Sequence, residues 1–420
     1  MAPNTFEALP SPPCRFCGVP VSRTVVDLGM SPPCESFLTA EQLNHAEAFS
    51  PLHVRVCDAC HLVQLEEYVA ADEIFGGEYA YFSSYSTSWV EHARRYAEAR
   101  VPELGLDADS LVVEIASNDG YLLQHFVERG IPVLGIEPAD NVAEAARERG
   151  VRTHVGFFGR ALAEELVAAG HRADLMAANN VLAHVPDIND FVAGFATLLA
   201  PDGVVTFEFP HLMRLIDEVQ YDTIYHEHYS YLSLITVRSV LAAHGLEVFD
   251  VEEIPTHGGS LRVFAGHDGV HTTAPAVGEL IAREERAGYL TPAPYEGFGA
   301  AVEASKRALL RYLIDQREAG RTVAAYGAPG KGNTLLNYCG IRTDLVAYAV
   351  DRNPYKHGRF TPGTHIPIHP PEHLARTRPD VILILPWNLK DEIATQLAYT
   401  REWGATLVVP VPTTMEVTPR

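Results

Sequence analysis

Short apolar runs broken by small polar turns recur from the middle of the chain onward, and each is followed by a stretch with helical spacing. Residues 111–115 (LVVEI) read as a buried strand, 116–120 (ASNDG) as a tight polar turn and 121–129 as a helix. Residues 133–137 (VLGIE) form a second strand that ends in an acid. Residues 174–178 and 204–208 continue the series; 235–244 read as a helix, and 246–251 with 261–264 as the arms of a hairpin. A second alternating unit follows. It has a helix over 300–320, a strand over 322–326, a glycine-rich loop over 327–333 and a helix starting at 334, then strands at 345–350, 381–385 and 406–411 and a helix over 390–403. Apolar runs of roughly four to eight residues alternating with helical stretches predict α/β architecture with parallel sheets.

The first 72 residues differ. Cys14-Arg15-Phe16-Cys17 and Cys57-Asp58-Ala59-Cys60 present two CxxC turns, the second between strand-like residues 54–56 and 62–65. Four thiolates in this pattern can close a tetrahedron around zinc, with no position left for a substrate, so the expected role of Cys14, Cys17, Cys57 and Cys60 is structural. The competing readings are a redox dithiol and unpaired core cysteines. Cys34 and Cys339 read as small apolar residues. Residues 76–89, dense in tyrosine and serine, precede a helix over 90–101; they read equally as cleft-facing hydroxyls or as a packed connector.

Composition narrows the partners. The chain has 420 residues, 47% hydrophobic and 20% charged, which suits two or three globular domains. With 54 acidic and 32 basic residues its formal charge is −22, so nucleic acid is a poor partner. No apolar run reaches the roughly 20 residues of a membrane span, and the N-terminus has no signal-peptide pattern, so no membrane partner and a cytoplasmic location are expected.

The candidate chemistry gathers at the strand ends. The turn 116–120 and the acid Glu137 suit a nucleoside whose ribose hydroxyls bind a carboxylate; GxGxxG is absent, and acids on the first and second strands fit S-adenosylmethionine better than NAD. Glu114, Ala116, Asn118, Gly120, Glu137 and Asn179 are the expected cofactor residues. Tyr225-His226-Glu227-His228-Tyr229 packs an acid, two imidazoles and two phenols into five residues, able to take a proton from a carbon acid, where the bland reading is a polar strand or turn. His184 lies just past a strand end. Thr256-His257-Gly258-Gly259-Ser260, with Arg262 beyond, reads as a ligand-facing turn or a simple bend. Gly327 to Asn333 is no Walker sequence; with Lys331 it suggests a diphosphate site, or else a glycine-eased turn.

The order CxxC…CxxC, VEIASNDGYLL, YHEHYSYLS, HGGSLR, YGAPGKGNTLLNYCG resembles the zinc-containing C-methyltransferases that act on nucleotide-linked 4-keto-deoxysugars, over nearly the whole chain. The resemblance implies a zinc-binding module over 1–72, a class I methyltransferase Rossmann-like domain over 73–270 and a second Rossmann-like, nucleotide-sugar-binding domain over 271–420. It implies base-catalysed deprotonation to an enolate and methyl transfer from S-adenosylmethionine to C-3 of a dTDP sugar. His228 would be the base and Glu227 would orient or tune it. Tyr225 and Tyr79 would contact substrate, and His184 would hydrogen-bond the keto oxygen. Tyr326, Lys331, Asn333 and Arg262, with Asp351 and His257, would hold the nucleotide sugar. Ala116 departs from the glycine common in methyltransferases of this kind. Open alternatives are C-5, O- or N-methylation of a related sugar, an NAD-dependent sugar oxidoreductase, and a non-catalytic sugar-nucleotide-binding protein. Oligomeric state stays open, a monomer included.

Overall fold

The structure is a computed structural model that describes residues 11–70 and 82–417. Three sheets organise it. The first holds β1 (Arg23–Ser31), β2 (Ser50–Val56) and β3 (Val63–Leu65). Next in the chain come β4 (Val112–Ile115), β5 (Val133–Glu137), β6 (Thr153–Val155), β7 (Ala173–Asn179) and β8 (Leu199–Pro210), then β9 (Ser230–Tyr231), β10 (Leu246–Ile254) and β11 (Ser260–His267). The last group is β12 (Val323–Tyr326), β13 (Ala349–Val350), β14 (Ile368–His369), β15 (Val381–Ile384), β16 (Thr406–Val409) and β17 (Met415–Val417).

The central sheet runs β10-β11-β8-β7-β4-β5-β6, and within it β11 alone lies antiparallel to its neighbours. Its middle strands are buried along their whole length, VVEI in β4 and VLGIE in β5, which is why they read as apolar runs without alternation. Strand order reverses between β4 and β7, so a crevice opens beyond the carboxyl ends of these strands. The third sheet, β14-β13-β12-β15-β16-β17, is parallel except for β17.

Several expectations need correction. The strand predicted over 345–350 contracts to Ala349–Val350, and the helix over 121–129 to one turn, Gln124–Val127, flanked by turns. The glycine-rich stretch is largely helical: Gly330–Cys339 is a helix, so Lys331 sits in its first turn rather than in a loop. Helix Pro275–Arg286 packs on β10, beyond the boundary expected at 270. Its buried Glu284 explains the attachment, accepting from the Leu234 and Ile235 amides at 2.8 and 2.9 Å at the start of helix Leu234–Ala242. Strand β9, which directly follows the YHEHY cluster, pairs with β3 and so joins the N-terminal sheet, β1-β2-β3-β9. Among the described residues no helix is long and apolar enough to cross a membrane.

Candidate active site

A cavity of about 750 Å³ opens where the carboxyl ends of β4, β5 and β7 meet the 225–228 loop and the first turn of helix Gly330–Cys339. Three parts of the chain line it, from Cys34 and Glu35 through the central sheet to Lys331 and Lys356.

On the central-sheet side lie Ala116, Asn118, Glu137 and Asn179. Glu137 is pinned by two backbone donors, Asn118 N at 2.9 Å and Ala139 N at 3.0 Å. Burial raises its carboxyl above the ordinary carboxylate range, and these amides pull it back. Ala116 and Asn118 adopt left-handed φ values of 55° and 49°, which bends the turn sharply beneath the cavity. Asn179 donates to the Tyr121 hydroxyl at 3.4 Å, while its own Oδ1 is buried without a partner. A pinned acid, a sharply bent turn and an orphaned acceptor at a sheet's switch point fit S-adenosylmethionine: Glu137 would hold the ribose hydroxyls and Asn179 an amino donor. Two expected cofactor residues do not line this space. Glu114 is fully buried in β4 beside Tyr121, and Gly120 is needed for packing, since a Cβ there would lie 2.9 Å from Val151.

Tyr225, Glu227 and His228 also line the cavity, with His184 beside them. His228 Nδ1 lies 2.7 Å from the Thr223 carbonyl, so Nδ1 carries the hydrogen and Nε2 keeps a lone pair. Burial, with His184 adding to it, holds the imidazole well below its ordinary value, and therefore neutral. The His184 and His228 rings meet edge to face at 4.6 Å, and Tyr225 lies 4.0 Å from His228. His184 hydrogen-bonds the Glu227 backbone, and burial lowers it to about 4. Glu227 does not orient His228 as expected; the Thr223 carbonyl does. The Glu227 carboxyl accepts instead from Cys34 Sγ at 3.6 Å, and burial, with Glu35 nearby, raises it to about 8. His226 turns away from the cavity, its Nε2 lying 3.2 Å from the Ser50 carbonyl in β2. Tyr79 lies outside the described residues.

The third wall carries cations. The chain has only four lysines, Lys306, Lys331, Lys356 and Lys390, and Lys331 and Lys356 both line the cavity. Lys331 donates to Asn388 Oδ1 at 3.0 Å and lies over the Trp387 ring; Lys356 pairs with Glu35 at 3.3 Å. His257 also lines the cavity, with burial lowering it to about 4. The other expected sugar-nucleotide residues point elsewhere. Arg262 is drawn into a buried network with Glu208 at 3.1 Å and Glu252 at 2.8 Å. Asn333 donates to the Cys34 carbonyl at 2.6 Å, and Tyr326 donates to Gln396 at 2.9 Å. Asp351 accepts from the Ala328 and Asn353 amides, at 2.7 and 2.8 Å, and shapes its own loop. Gly330 serves close packing: a Cβ there would lie 2.8 Å from Cys34 Sγ.

Away from the cavity, the sulfurs of Cys14, Cys17, Cys57 and Cys60 lie within 4.8 Å of one another. None is in a disulfide, and an all-thiolate set this tight fits tetrahedral zinc. Sequence reasoning missed Thr223, Cys34, Glu35, Lys356, Asp222 and Trp387. The one usable signal was composition, because lysine is so scarce that each one is informative.

Family models match three consecutive stretches: "Putative zinc binding domain" over residues 14–75, "Methyltransferase domain" over 89–251 and "C-methyltransferase C-terminal domain" over 255–412. The C-methyltransferase NovU of Streptomyces niveus is 38% identical over 401 residues, 95% of each chain. A ubiquinone biosynthesis O-methyltransferase of Rhodopseudomonas palustris is 28% identical over 94 residues, 22% of this chain and 37% of its own. Among solved structures, the magnesium protoporphyrin IX methyltransferase of Synechocystis, with bound SAM, covers 46% of this chain and 88% of its own at 16% identity and a TM-score of 0.32.

Proposed function

This chain belongs to the C-methyltransferase family, a group of S-adenosylmethionine-dependent enzymes, and we propose that its acceptor is a carbon beside the ketone of a nucleotide-linked 4-keto-deoxysugar, C-3 of a dTDP sugar. The observation that carries this reading is His228, a neutral imidazole whose Nδ1–H is fixed on the Thr223 carbonyl and whose Nε2 is left as the base. It lines the same cavity as Glu137 and Asn179 on one side and Lys331 and Lys356 on the other.

In this reading Lys331 and Lys356 neutralise the diphosphate, which a chain of net charge −22 could not attract without such a pocket. His228 Nε2 takes the proton from the carbon beside the ketone, and the C–H electron pair moves toward the carbonyl oxygen. The Tyr225 hydroxyl and the protonated Glu227 carboxyl are the groups at hand to receive the resulting oxyanion, whereas neutral His184 has its one N–H on the Glu227 backbone and does not donate to the keto oxygen as expected. Burial keeps His228 a weak base, so the enolate charge beside it must help hold the proton it gains. S-adenosylmethionine, when bound, supplies the electrophilic methyl group. Glu137, Asn118 and Ala116 set where that methyl sits relative to the sugar carbon, and alignment of this kind accounts for much of the acceleration.

The three units divide the function in chain order, zinc module, methyl-donor domain and sugar-nucleotide domain, with helix Pro275–Arg286 packed on the second. The reduced four-cysteine centre suits a cytoplasmic setting. The acceptor atom is tested with carbon-13-methyl S-adenosylmethionine and a panel of nucleotide-linked 4-keto-6-deoxysugars. A labelled product methyl with the carbon shift of a C–CH3 group supports the reading, and a methoxy or N-methyl shift overturns it.

A further inference from the structure

Beside the 225–228 loop, outside the cavity, two residues from turns far apart in the chain meet. Asp222 lies fully buried in the short turn Tyr221–Thr223 that leads into the loop. Trp387 opens the turn Trp387–Leu389 that follows β15 of the third sheet. The indole Nε1–H donates to Asp222 Oδ2 at 2.6 Å. The next residue, Thr223, supplies the carbonyl that holds His228 Nδ1.

The same indole touches the two ligand-facing elements around it. The Lys331 ammonium lies 5.0 Å from its ring centroid, and the neighbouring Asn388 accepts from that ammonium. Room for the ring against the His257 turn comes from Gly258, where a Cβ would lie 2.6 Å from the ring. The turn is gripped once more by helix Gly330–Cys339: Tyr221 meets Tyr338 edge to face at 5.5 Å, and its hydroxyl lies 3.6 Å from Cys339 Sγ.

We propose that Trp387 and Asp222 are positioning residues that fix His228 in its Nδ1–H tautomer, so that the C-terminal unit carrying Lys331 also sets the base. The proposal rests on the reading of His228 as the base. Its logic is local. Among these contacts, the Trp387 bond is the one made to the residue directly before the carbonyl that selects the tautomer. Without it, a carboxylate buried beside that carbonyl has lost a donor and must find another, and the turn moves with it. Burial raises Asp222 to about 6, and Lys331 and the indole draw it back.

The test uses the full-length, zinc-loaded chain labelled with nitrogen-15 histidine. The His228 signals are assigned by their loss in His228→Asn. In the native chain they should report one Nδ1–H tautomer with no titration from about pH 5 to pH 8. Trp387→Phe, which keeps the ring but not the donor, should give mixed tautomers or bring His228 into titration. Its kcat should fall at least tenfold with the KM for S-adenosylmethionine unchanged. Asp222→Ala should do the same, and carries the test should Trp387→Phe fail to fold. Asp222→Asn, which keeps an oxygen for the indole, should stay close to the native chain. An unaltered His228 tautomer in Trp387→Phe and Asp222→Ala overturns the proposal, as does an Asp222→Asn as disturbed as Asp222→Ala. Because the tautomer is read without a sugar, a failure of the substrate reading would show only in turnover and leave this result standing.

Discussion

In the proposed mechanism His228 is a usable base because one carbonyl chooses which of its nitrogens carries the hydrogen. Replacing it by asparagine keeps a similar shape and removes the basic nitrogen. His228→Asn should lower turnover by about 10²–10⁴-fold, the ordinary contribution of a general base, with S-adenosylmethionine affinity by calorimetry unchanged. Near-native turnover would remove His228 from its role. Glu227 gives a pH prediction with a definite sign. Its folded carboxyl sits at about 8 against an ordinary 4.5, so the folded chain holds a proton that the unfolded chain releases. Its contribution to stability is fullest below about 4.5 and is lost as pH rises through about 8, with a slope of at most about 1.4 kcal/mol per pH unit. Glu227→Gln lacks this term, so melting curves of the two proteins should converge, or the variant should overtake, between those limits; parallel curves would contradict the assignment. The reactive residue types were legible in the sequence because YHEHY concentrates them. The partners that tune them were not: Thr223 acts through its backbone, which any residue has, and Cys34 and Lys356 come from distant stretches of chain.

At the scale of elements, the two-residue strand β9 has the largest consequence for its size. It extends the N-terminal sheet with residues that directly follow the catalytic cluster, and the Leu65 amide bonds the Tyr229 carbonyl at 3.0 Å. His226 adds its bond to Ser50 in β2. The N-terminal sheet therefore braces the loop that carries His228, and the four-cysteine centre is expected to act on that loop through the sheet. Removing zinc with a strong chelator should speed amide hydrogen exchange across residues 225–231 and lower turnover, while exchange in β4 and β5 stays slow. Unchanged exchange in that loop would show that the centre stabilises only its own module. No periodicity could have announced β9, since two residues carry no pattern. The long buried strands of the central sheet were legible for the opposite reason. In the glycine-rich stretch the glycines pack closely against Cys34, Leu385 and Pro386 inside a helix and its entry turn, a role that reads much the same in sequence as a phosphate loop.

At the scale of the whole molecule, residues from all three units line one cavity, and in the proposed mechanism each supplies what the others lack: a braced loop, a donor pocket and a cationic wall. The succession of the three units was readable from the chain, because each has its own pattern of cysteines, apolar strands and turns. Their mutual contacts were not. Asn333 on the Cys34 carbonyl, His365 on Glu47 and Trp387 on Asp222 join residues more than 150 positions apart, with separations of 299, 318 and 165. The central claim is that this convergence removes a proton from carbon before the methyl group arrives. The most direct measurement is mass spectrometry of a nucleotide-linked 4-keto-6-deoxysugar incubated with the enzyme in deuterated water, with and without S-adenosylmethionine. The account predicts deuterium entering the carbon beside the ketone in both cases, abolished by His228→Asn, and one methyl gained at that same carbon when the donor is present. A methyl gained with no exchange at that carbon in either condition, and undiminished in His228→Asn, would contradict it.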